Sequence, residues 1–295
     1  PASMARPSNR PPAWPDDAPS LGAFVTHVRE EGKLLWRDLP WRNVDDAYAV
    51  LVSEVMLQQT QVKRVLGRWE RFLAKFPTPD ALAAAATSDV VAEWQGLGYN
   101  RRALALKLAC EACSADYAGS LPLTAEELEK LPGIGPATAA GVVAFAYDKP
   151  ALYLETNVRT VFLHDVFPDR EGVKDKEIAP LVAASCPDED VRGWYYALLD
   201  YGAHLKATVA NPSRRSAHYT RQSTFEGSRR QKRAEVVRIV LAAEGAVPLE
   251  EVHKLLNRFE REHGRDGVGD ELFASIVADL SREGFFAVEG GVASA

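Results

Sequence analysis

The chain has 295 residues, enough for one large domain or for two to three small domains with buried cores. Its hydrophobic fraction is 46% and its charged fraction 26%, as in ordinary globular proteins. No apolar run approaches the roughly 20 residues that a membrane span requires, which excludes an integral membrane protein. The three cysteines and the lack of an export signal favour the reducing cytoplasm as the place of action.

The N-terminal segment is predicted to lack structure. Its first three residues, before Met4, resemble a cloning scar, and residues 1–20 are rich in Pro, Ser and Asp. Beyond it, apolar residues recur at helical spacing, and alternation typical of strands appears only near the C-terminus. The pattern predicts an all-α protein. Helices are expected over 47–66, 87–94, 101–117, 124–131, 137–145 and 157–167.

The predicted helices divide into modules. Residues 46–163 form one helical module with six helices, and 21–45 are expected to pack with 164–228 as a second. The last unit, 229–295, has three predicted helices, over 234–243, 249–259 and 270–282, followed by a glycine-turned hairpin over 285–293. Three helices and a hairpin are the outline of a winged helix-turn-helix domain.

Basic residues are concentrated between the second module and the last unit. Although the formal net charge of the chain is −6, the window 206–233 has eight basic residues and one acidic residue, Glu226. A basic segment on an acidic protein is typical of a surface that binds a polyanion, and a solvated loop is the alternative. The basic residues are Lys206, Arg214, Arg215, Arg221, Arg229, Arg230, Lys232 and Arg233.

The sequence LPGIGPATA, residues 131–139, predicts a tight hairpin between two helices. Glycine at Gly133 and Gly135 permits positive φ and close approach of a ligand to the backbone. The amides at the start of the next helix then form an anion site, which suits a DNA phosphate. We therefore expect Gly133, Gly135 and Thr138 to contact DNA. A plain helix–helix turn is the alternative, and the hairpin is also a candidate site for a monovalent cation.

Several motifs together resemble the helix-hairpin-helix DNA glycosylase superfamily. LPGIGPATA is followed about 20 residues later by LETNVR, and SEVMLQQTQV, residues 53–62, is similar to MutY-type adenine glycosylases. LPWR, residues 39–42, and WQGLGY, residues 94–99, support the resemblance, which runs from about residue 34 to 202. It implies a two-module helix-hairpin-helix fold and base excision from double-stranded DNA that contains a lesion or mispair. We also expect a monomer that acts at the bacterial nucleoid.

The resemblance assigns catalytic roles to three residues. Glu54 lies in an apolar helix, where burial is expected to favour its protonated form, and it matches the general acid that protonates the departing adenine. Glu155 matches a position that is usually aspartate and would stabilise the cationic sugar. Asn157 matches the residue that positions the catalytic water. Since Glu155 is one methylene longer than aspartate, its reach to the sugar must differ.

Other matches concern strand cleavage and DNA distortion. Bifunctional relatives have a nucleophilic lysine in the hairpin, where this chain has Pro136 and Ala137, so base removal without lyase activity is implied. Gln59 matches the residue that fills the gap left by the extruded nucleotide, and Tyr99 matches an aromatic wedge. Arg42 and Gln58 resemble further DNA contacts.

The family usually ends this region with four cysteines that bind an iron–sulfur cluster. Here the corresponding positions hold Lys206, Ser213, Ser216 and Gln222, so no cofactor is expected. In place of the cluster, Arg214, Arg215 and Arg221 are expected to contact phosphates. We interpret Cys110 and Cys113 as packing residues and expect no metal site.

Three functions are consistent with these features. The first is excision of adenine opposite 8-oxoguanine or guanine. The second is excision of a different base by the same scaffold, which Glu155, Ala137 and Asn100 suggest because each departs from the family pattern. The third is a DNA-binding repair factor without catalysis, against which the pair Glu54 and Glu155 argues. The region after Arg229 is too short for the usual C-terminal domain that inspects 8-oxoguanine.

Overall fold

The computed structural model describes residues 14–221, 223–243 and 245–295. The predicted disorder of residues 1–13 lies outside this part of the chain, but for 14–20 the prediction is wrong. The Trp14 side chain is buried, its ring packs edge-on against Phe24 at 5.4 Å, and its indole nitrogen donates a hydrogen bond to the Pro19 carbonyl at 2.7 Å. A single aromatic anchor orders a stretch whose composition is otherwise that of a flexible tail.

The fold is all-α, as predicted, apart from three short strands near the C-terminus. Two 3-10 turns, Pro40–Arg42 and Pro212–Arg215, interrupt the helices. Within the described residues the helices are α1 Leu21–Leu34, α2 Ala47–Leu57, α3 Val62–Val65, α4 Arg68–Lys75, α5 Pro79–Ala84, α6 Thr87–Trp94, α7 Arg101–Asp116, α8 Ala125–Leu128, α9 Pro136–Ala146, α10 Thr156–Asp165, α11 Asp175–Ser185, α12 Val191–Thr208, α13 Arg229–Ala242, α14 Leu249–Glu262 and α15 Asp270–Arg282.

The chain folds into two compact units whose boundaries differ from those of the predicted modules. Among the described residues, the first unit comprises 14–51, 123–129 and 135–221, and the second comprises 52–122, 130–134, 223–243 and 245–295. The C-terminal residues 229–295 thus share a unit with 52–122. None of the helices in the described residues is long and apolar enough to cross a membrane.

In the first unit, α12 packs closely against both α1 and α10. A Cβ atom at Gly32 of α1 would lie 2.3 Å from the Cβ of Ala197, and a Cβ at Gly202 would lie 2.2 Å from the Asn157 carbonyl oxygen. Both approaches require glycine, because such distances are far below van der Waals contact. The contact at Gly202 places the middle of α12 directly against the first turn of α10.

The second unit contains the predicted winged-helix arrangement. Strand β1 Val247–Pro248 lies between α13 and α14 in the chain, whereas β2 Ala287–Glu289 and β3 Val292–Ser294 follow α15. The three strands form an antiparallel sheet in the order β1-β3-β2. Ala293 of β3 pairs with Val247 on one side and with Val288 on the other. The core of these elements includes Val91 of α6, so they pack against the rest of the unit.

The predicted helix 47–66 is wrong in its length. Helix α2 ends at Leu57, a turn follows, and α3 begins only at Val62. The break coincides with the polar residues 58–61, and apolar residues resume at Val62, so the longer helical pattern on both sides hides it. By contrast, the interpretation of Cys110 and Cys113 is confirmed: both are buried in α7, where burial raises the pKa of Cys110 to about 12 and that of Cys113 to about 11.

Candidate active site and DNA interface

Glu54 lies on α2 among buried apolar residues. Its neighbours Val52, Val55 and Met56 are fully or almost fully buried, whereas Glu54 itself is half-buried. The helix holds the backbone on both sides of Glu54 and ends three residues later, at Leu57. This carboxyl group therefore has a rigid backbone and partial access to water.

The predicted plug residue, Gln59, lies in the turn after α2 in a rare backbone conformation. Its φ is 52°, in the left-handed region, and its side chain is exposed. A residue other than glycine in this region costs about 1–2 kcal/mol. Such conformations persist where surrounding contacts fix them, and they are concentrated at functional sites.

The predicted wedge residue, Tyr99, shares this feature. Its φ is 47°, and it follows Gly98, whose φ of 76° suits glycine. The glycines of the motif WQGLGY therefore shape a loop that ends on a half-buried tyrosine. Plug and wedge are thus both placed by left-handed turns rather than by helices.

Arg102, which sequence reasoning missed, joins these two turns. On the plug side its guanidinium donates to the carbonyls of Val55, Met56 and Gln58 at 2.8, 3.0 and 2.5 Å. On the wedge side it donates to the Gly98 carbonyl at 2.8 Å, and it also bonds the Thr60 hydroxyl at 3.0 Å.

Burial lowers the pKa of Arg102 to about 10, so the side chain is still a cation at neutral pH. In the sequence, Arg102 is one of two adjacent arginines at a helix start. Nothing in the sequence indicates that its N–H groups donate hydrogen bonds to both turns. The structure makes it a positioning residue for both Gln59 and Tyr99.

The hairpin is formed as predicted at Gly133 but not at Gly135. Gly133 has φ 73°, and a Cβ there would lie 2.5 Å from the Ala105 Cβ. Gly135 has φ −90°, which any residue adopts, and it precedes Pro136 at the first position of α9. The Thr138 side chain is only 6% exposed, so it does not form the surface expected of a DNA contact. A phosphate at this site would meet backbone amides instead.

Glu155 is both the predicted catalytic carboxylate and the N-cap of α10. Its Oε1 accepts hydrogen bonds from the backbone amides of Asn157 at 2.6 Å and Val158 at 3.0 Å. Burial raises the pKa of Glu155, while these two bonds and the cations Lys206 and Arg159 act in the opposite direction. The carboxyl group is therefore held in a fixed position, and because burial outweighs these contacts its pKa lies above the ordinary value.

Lys206 is a second residue of this site that the sequence did not assign to it. Its Nζ donates to the Oδ1 of Asn157 at 2.9 Å. That bond orients the Asn157 amide next to Glu155. Lys206 belongs to α12, whose close approach to α10 at Gly202 makes the contact possible.

The predicted DNA contact at Arg42 is wrong. Its side chain is buried, and its guanidinium donates to both carboxylate oxygens of Asp200 at 2.7 Å. It also lies 4.4 Å from the ring centroid of Tyr196 and 4.9 Å from that of Trp36. Its guanidinium is buried and bonds Asp200 inside the first unit, so Arg42 is a structural residue.

The three arginines predicted to contact phosphate differ from one another. Arg214 and Arg221 are exposed, as that prediction requires. Arg215 instead donates to the carbonyls of Leu163 at 2.6 Å and Phe167 at 2.5 Å, and also to that of Pro168. It closes the end of α10, and its prediction as a phosphate contact is wrong.

The positions that correspond to cluster ligands carry no thiolates. Lys206 binds Asn157, Ser213 is buried with its hydroxyl bonded to Asn211 at 2.7 Å, and Ser216 is buried beside Val173. Gln222 lies outside the described residues. The ammonium and hydroxyl groups present do not fit an iron–sulfur cluster, which requires thiolate or imidazole ligands.

Comparison with known proteins identifies the family. Residues 52–182 match the HhH-GPD superfamily base excision DNA repair protein model. A protein of Mycobacterium tuberculosis named adenine DNA glycosylase is 31% identical over 290 residues, which cover 90% of this chain and 94% of the relative. A Pyrobaculum aerophilum protein named thymine/uracil-DNA glycosylase is 35% identical over 159 residues, 54% of this chain and 66% of the relative.

A solved structure shows the same fold. The chain in a non-covalent endonuclease III–DNA complex superposes with a TM-score of 0.55 at 22% identity, covering 65% of this chain and 90% of that chain. The chain therefore belongs to the HhH-GPD superfamily of base-excision DNA repair proteins and, within it, to the MutY-type DNA glycosylases.

Proposed function

We propose that the chain hydrolyses the N-glycosidic bond of adenine that faces 8-oxoguanine or guanine in duplex DNA, without cutting the strand. The name of the M. tuberculosis relative supports adenine as the target. The reaction rests on one observation above all, the Glu155 carboxylate fixed by two amides beside Asn157. The enzyme would act as a monomer at the bacterial nucleoid.

The first step is extrusion of the adenine nucleotide. Removing a base from the stack costs a few kcal/mol, and side chains that fill the gap offset this cost. Gln59 and Tyr99 suit that task because their turns are fixed before DNA arrives. Arg102 holds both turns through carbonyls on each side. Arg214, Arg221 and the hairpin amides would hold the sugar–phosphate backbone.

The second step is cleavage of the bond between the sugar and adenine. Glu54 donates a proton to the adenine ring, the bonding electron pair leaves with the base, and positive charge develops on the sugar. The Glu155 carboxylate stabilises that charge. Asn157, oriented by Lys206, positions the water that adds to the sugar carbon. The proton that this water loses returns to the Glu54 carboxylate and restores the acid.

The proposal of a monofunctional enzyme depends on Pro136 and Ala137, which replace the hairpin lysine of bifunctional relatives. Lys206 is an amine close to the predicted site, but its Nζ donates to Asn157 and so has a positioning role. Borohydride should therefore trap no covalent adduct. A trapped adduct that disappears in Lys206→Met would identify Lys206 as a nucleophile and overturn this part of the proposal.

A second candidate is excision of another base by the same site. The Pyrobaculum relative with a thymine/uracil name favours it, as does glutamate at position 155 in place of the usual aspartate.

The protein as proposed contains no iron–sulfur cluster, because the donors at the described ligand positions do not fit one. Elemental analysis of the purified protein should find no stoichiometric iron. About four irons per chain would show that other residues provide the ligands.

One experiment separates the candidate functions. Wild-type protein and Glu54→Gln are incubated with a panel of duplexes, each with a single mispair or altered base, and alkali reveals abasic sites. Adenine released opposite 8-oxoguanine and guanine by the wild type only supports the proposal. Release of thymine or uracil instead supports the second candidate. Binding without release of any base would indicate a repair factor without catalysis.

A further inference from the structure

The second unit contains a cleft of about 880 Å³ beside the plug and wedge turns. Gln58, Gln59 and Tyr99 line one side of it. Ser223, Phe225 and the start of α13 line the other side. A cleft of this size accommodates a nucleotide. It is formed jointly by the helix-hairpin-helix part and by the segment that leads into the winged-helix elements.

The cleft is strongly basic. Six arginines line it, and three of these have acidic partners: Arg229 bonds Asp279 at 2.6 Å, while Arg233 and Arg101 share Glu283. The hydrogen-bond partners of the other three, namely Arg64, Arg102 and Arg230, are carbonyl and hydroxyl groups. Positive charge therefore remains in the cleft for an anionic ligand.

Arg230 connects the C-terminal segment directly to the wedge. Its Nη1 donates to the Tyr99 hydroxyl at 2.5 Å, and its Nη2 donates to the Ser223 carbonyl at 2.7 Å. The guanidinium carbon lies 5.3 Å from the Tyr99 ring centroid and 5.8 Å from that of Phe225. Phe225 is nevertheless 46% exposed, an unusual state for a phenylalanine. The cleft thus presents an aromatic face next to a guanidinium.

We propose that this cleft binds the nucleotide opposite the extruded adenine, and that Phe225 and Arg230 select a guanine-type base there. The inference rests on the proposed function, because a wedge at Tyr99 separates the two members of the mispair. The base left in the duplex would lie next to the wedge, where Phe225 offers a stacking surface and Arg230, whose Nη atoms also bond Tyr99 and Ser223, offers its remaining N–H groups. Arginine pairs preferentially with the acceptor edge of guanine, and its O6 is also present in 8-oxoguanine.

The test measures affinity for duplexes with a stable abasic analogue opposite guanine, 8-oxoguanine, cytosine or thymine. Excision is not needed for this measurement. We expect the wild type to prefer the two guanine-type bases and Arg230→Met to reduce that preference about tenfold, within the range for loss of one base contact. The matched control is Arg238→Met on the same helix. Arg238 pairs with Glu235 and its side chain is 58% exposed, so its replacement should leave the preference unchanged.

A second readout reports on Phe225. With 2-aminopurine opposite the abasic analogue, binding of the wild type should quench its fluorescence by stacking, and Phe225→Leu should abolish most of that quenching. Equal affinity of the wild type for all four opposite bases, or an effect of Arg230→Met no larger than that of Arg238→Met, would overturn the proposal. Such a result leaves adenine excision intact, whereas failure of the proposed function appears as no base released by the wild type.

Discussion

The two regions that carry the predicted chemistry are held in place in opposite ways. At the start of α10 the predicted catalytic group fixes its own position, because the Glu155 carboxylate accepts hydrogen bonds from two backbone amides of the first turn. At the plug and wedge turns another residue, Arg102, provides the anchor, and the Gln59 side chain extends outward. Structure and chemistry are thus combined in one side chain at the first region and separated at the second.

The largest expected effect comes from Glu54, whose backbone lies within a regular helix. Glu54→Gln should lower the single-turnover rate of adenine excision by about 2–4 decades, because it removes the general acid. Duplex affinity should remain near that of the wild type, as measured by fluorescence anisotropy. A rate within a factor of three of the wild type would remove Glu54 from the mechanism.

Substitutions of Glu155 test whether one side chain both caps α10 and stabilises the charge on the sugar. Glu155→Gln should lower excision by about 10²–10³-fold through loss of the charge that faces the sugar. It should also cost about 1 kcal/mol in the free energy of unfolding, because the N-cap becomes weaker.

Glu155→Asp is the matched variant, since aspartate is a good N-cap and keeps the charge. Its unfolding free energy should equal that of the wild type within about 0.5 kcal/mol, with excision above that of Glu155→Gln. If both variants were equally stable and equally inactive, the capping bonds would have no part in either property.

Arg102→Met tests the plug and wedge turns, which are held by a residue other than Gln59 and Tyr99. Several carbonyls would lose their donor, and each unsatisfied buried group costs about 1–3 kcal/mol, so we expect a loss of roughly 3 kcal/mol in denaturant unfolding. Excision should fall as well, although Gln59 and Tyr99 are unchanged. Arg101→Met is the control: because the Arg101 side chain is exposed, its replacement should change the free energy of unfolding by no more than about 0.5 kcal/mol.

The smallest effects distinguish two adjacent arginines. Arg214→Ala should leave unfolding unchanged and flatten the slope of log K against log salt by about 0.9, the contribution of one phosphate contact. Arg215→Ala should do the reverse, with a loss of about 1–3 kcal/mol in stability and an unchanged slope. Equal salt slopes for the wild type and Arg214→Ala would assign Arg214 to a solvated surface.

The sequence predicted the fold class, helix α6 with its exact ends, and the three helices and hairpin of the C-terminal region, because these follow from apolar periodicity. It did not predict the two-residue strand β1. It also predicted a helix from residue 157, but not that Glu155 caps it. It did not distinguish arginines that face solvent from those that bind carbonyls or carboxylates: Arg42 and Arg215 were assigned to DNA, and Arg102 was not singled out. The partner of an arginine is set by tertiary packing, and local sequence carries little information about it.

The left-handed turns at Gln59 and Tyr99 also bear on protein engineering. Each departs from the glycine that such a backbone favours, at a cost of about 1–2 kcal/mol. A laboratory selection for thermal stability alone would therefore enrich glycine at both positions. The selected protein would be more stable but less active in DNA repair. Thermostable variants of this chain should be sought elsewhere, with residues 59 and 99 excluded from the library.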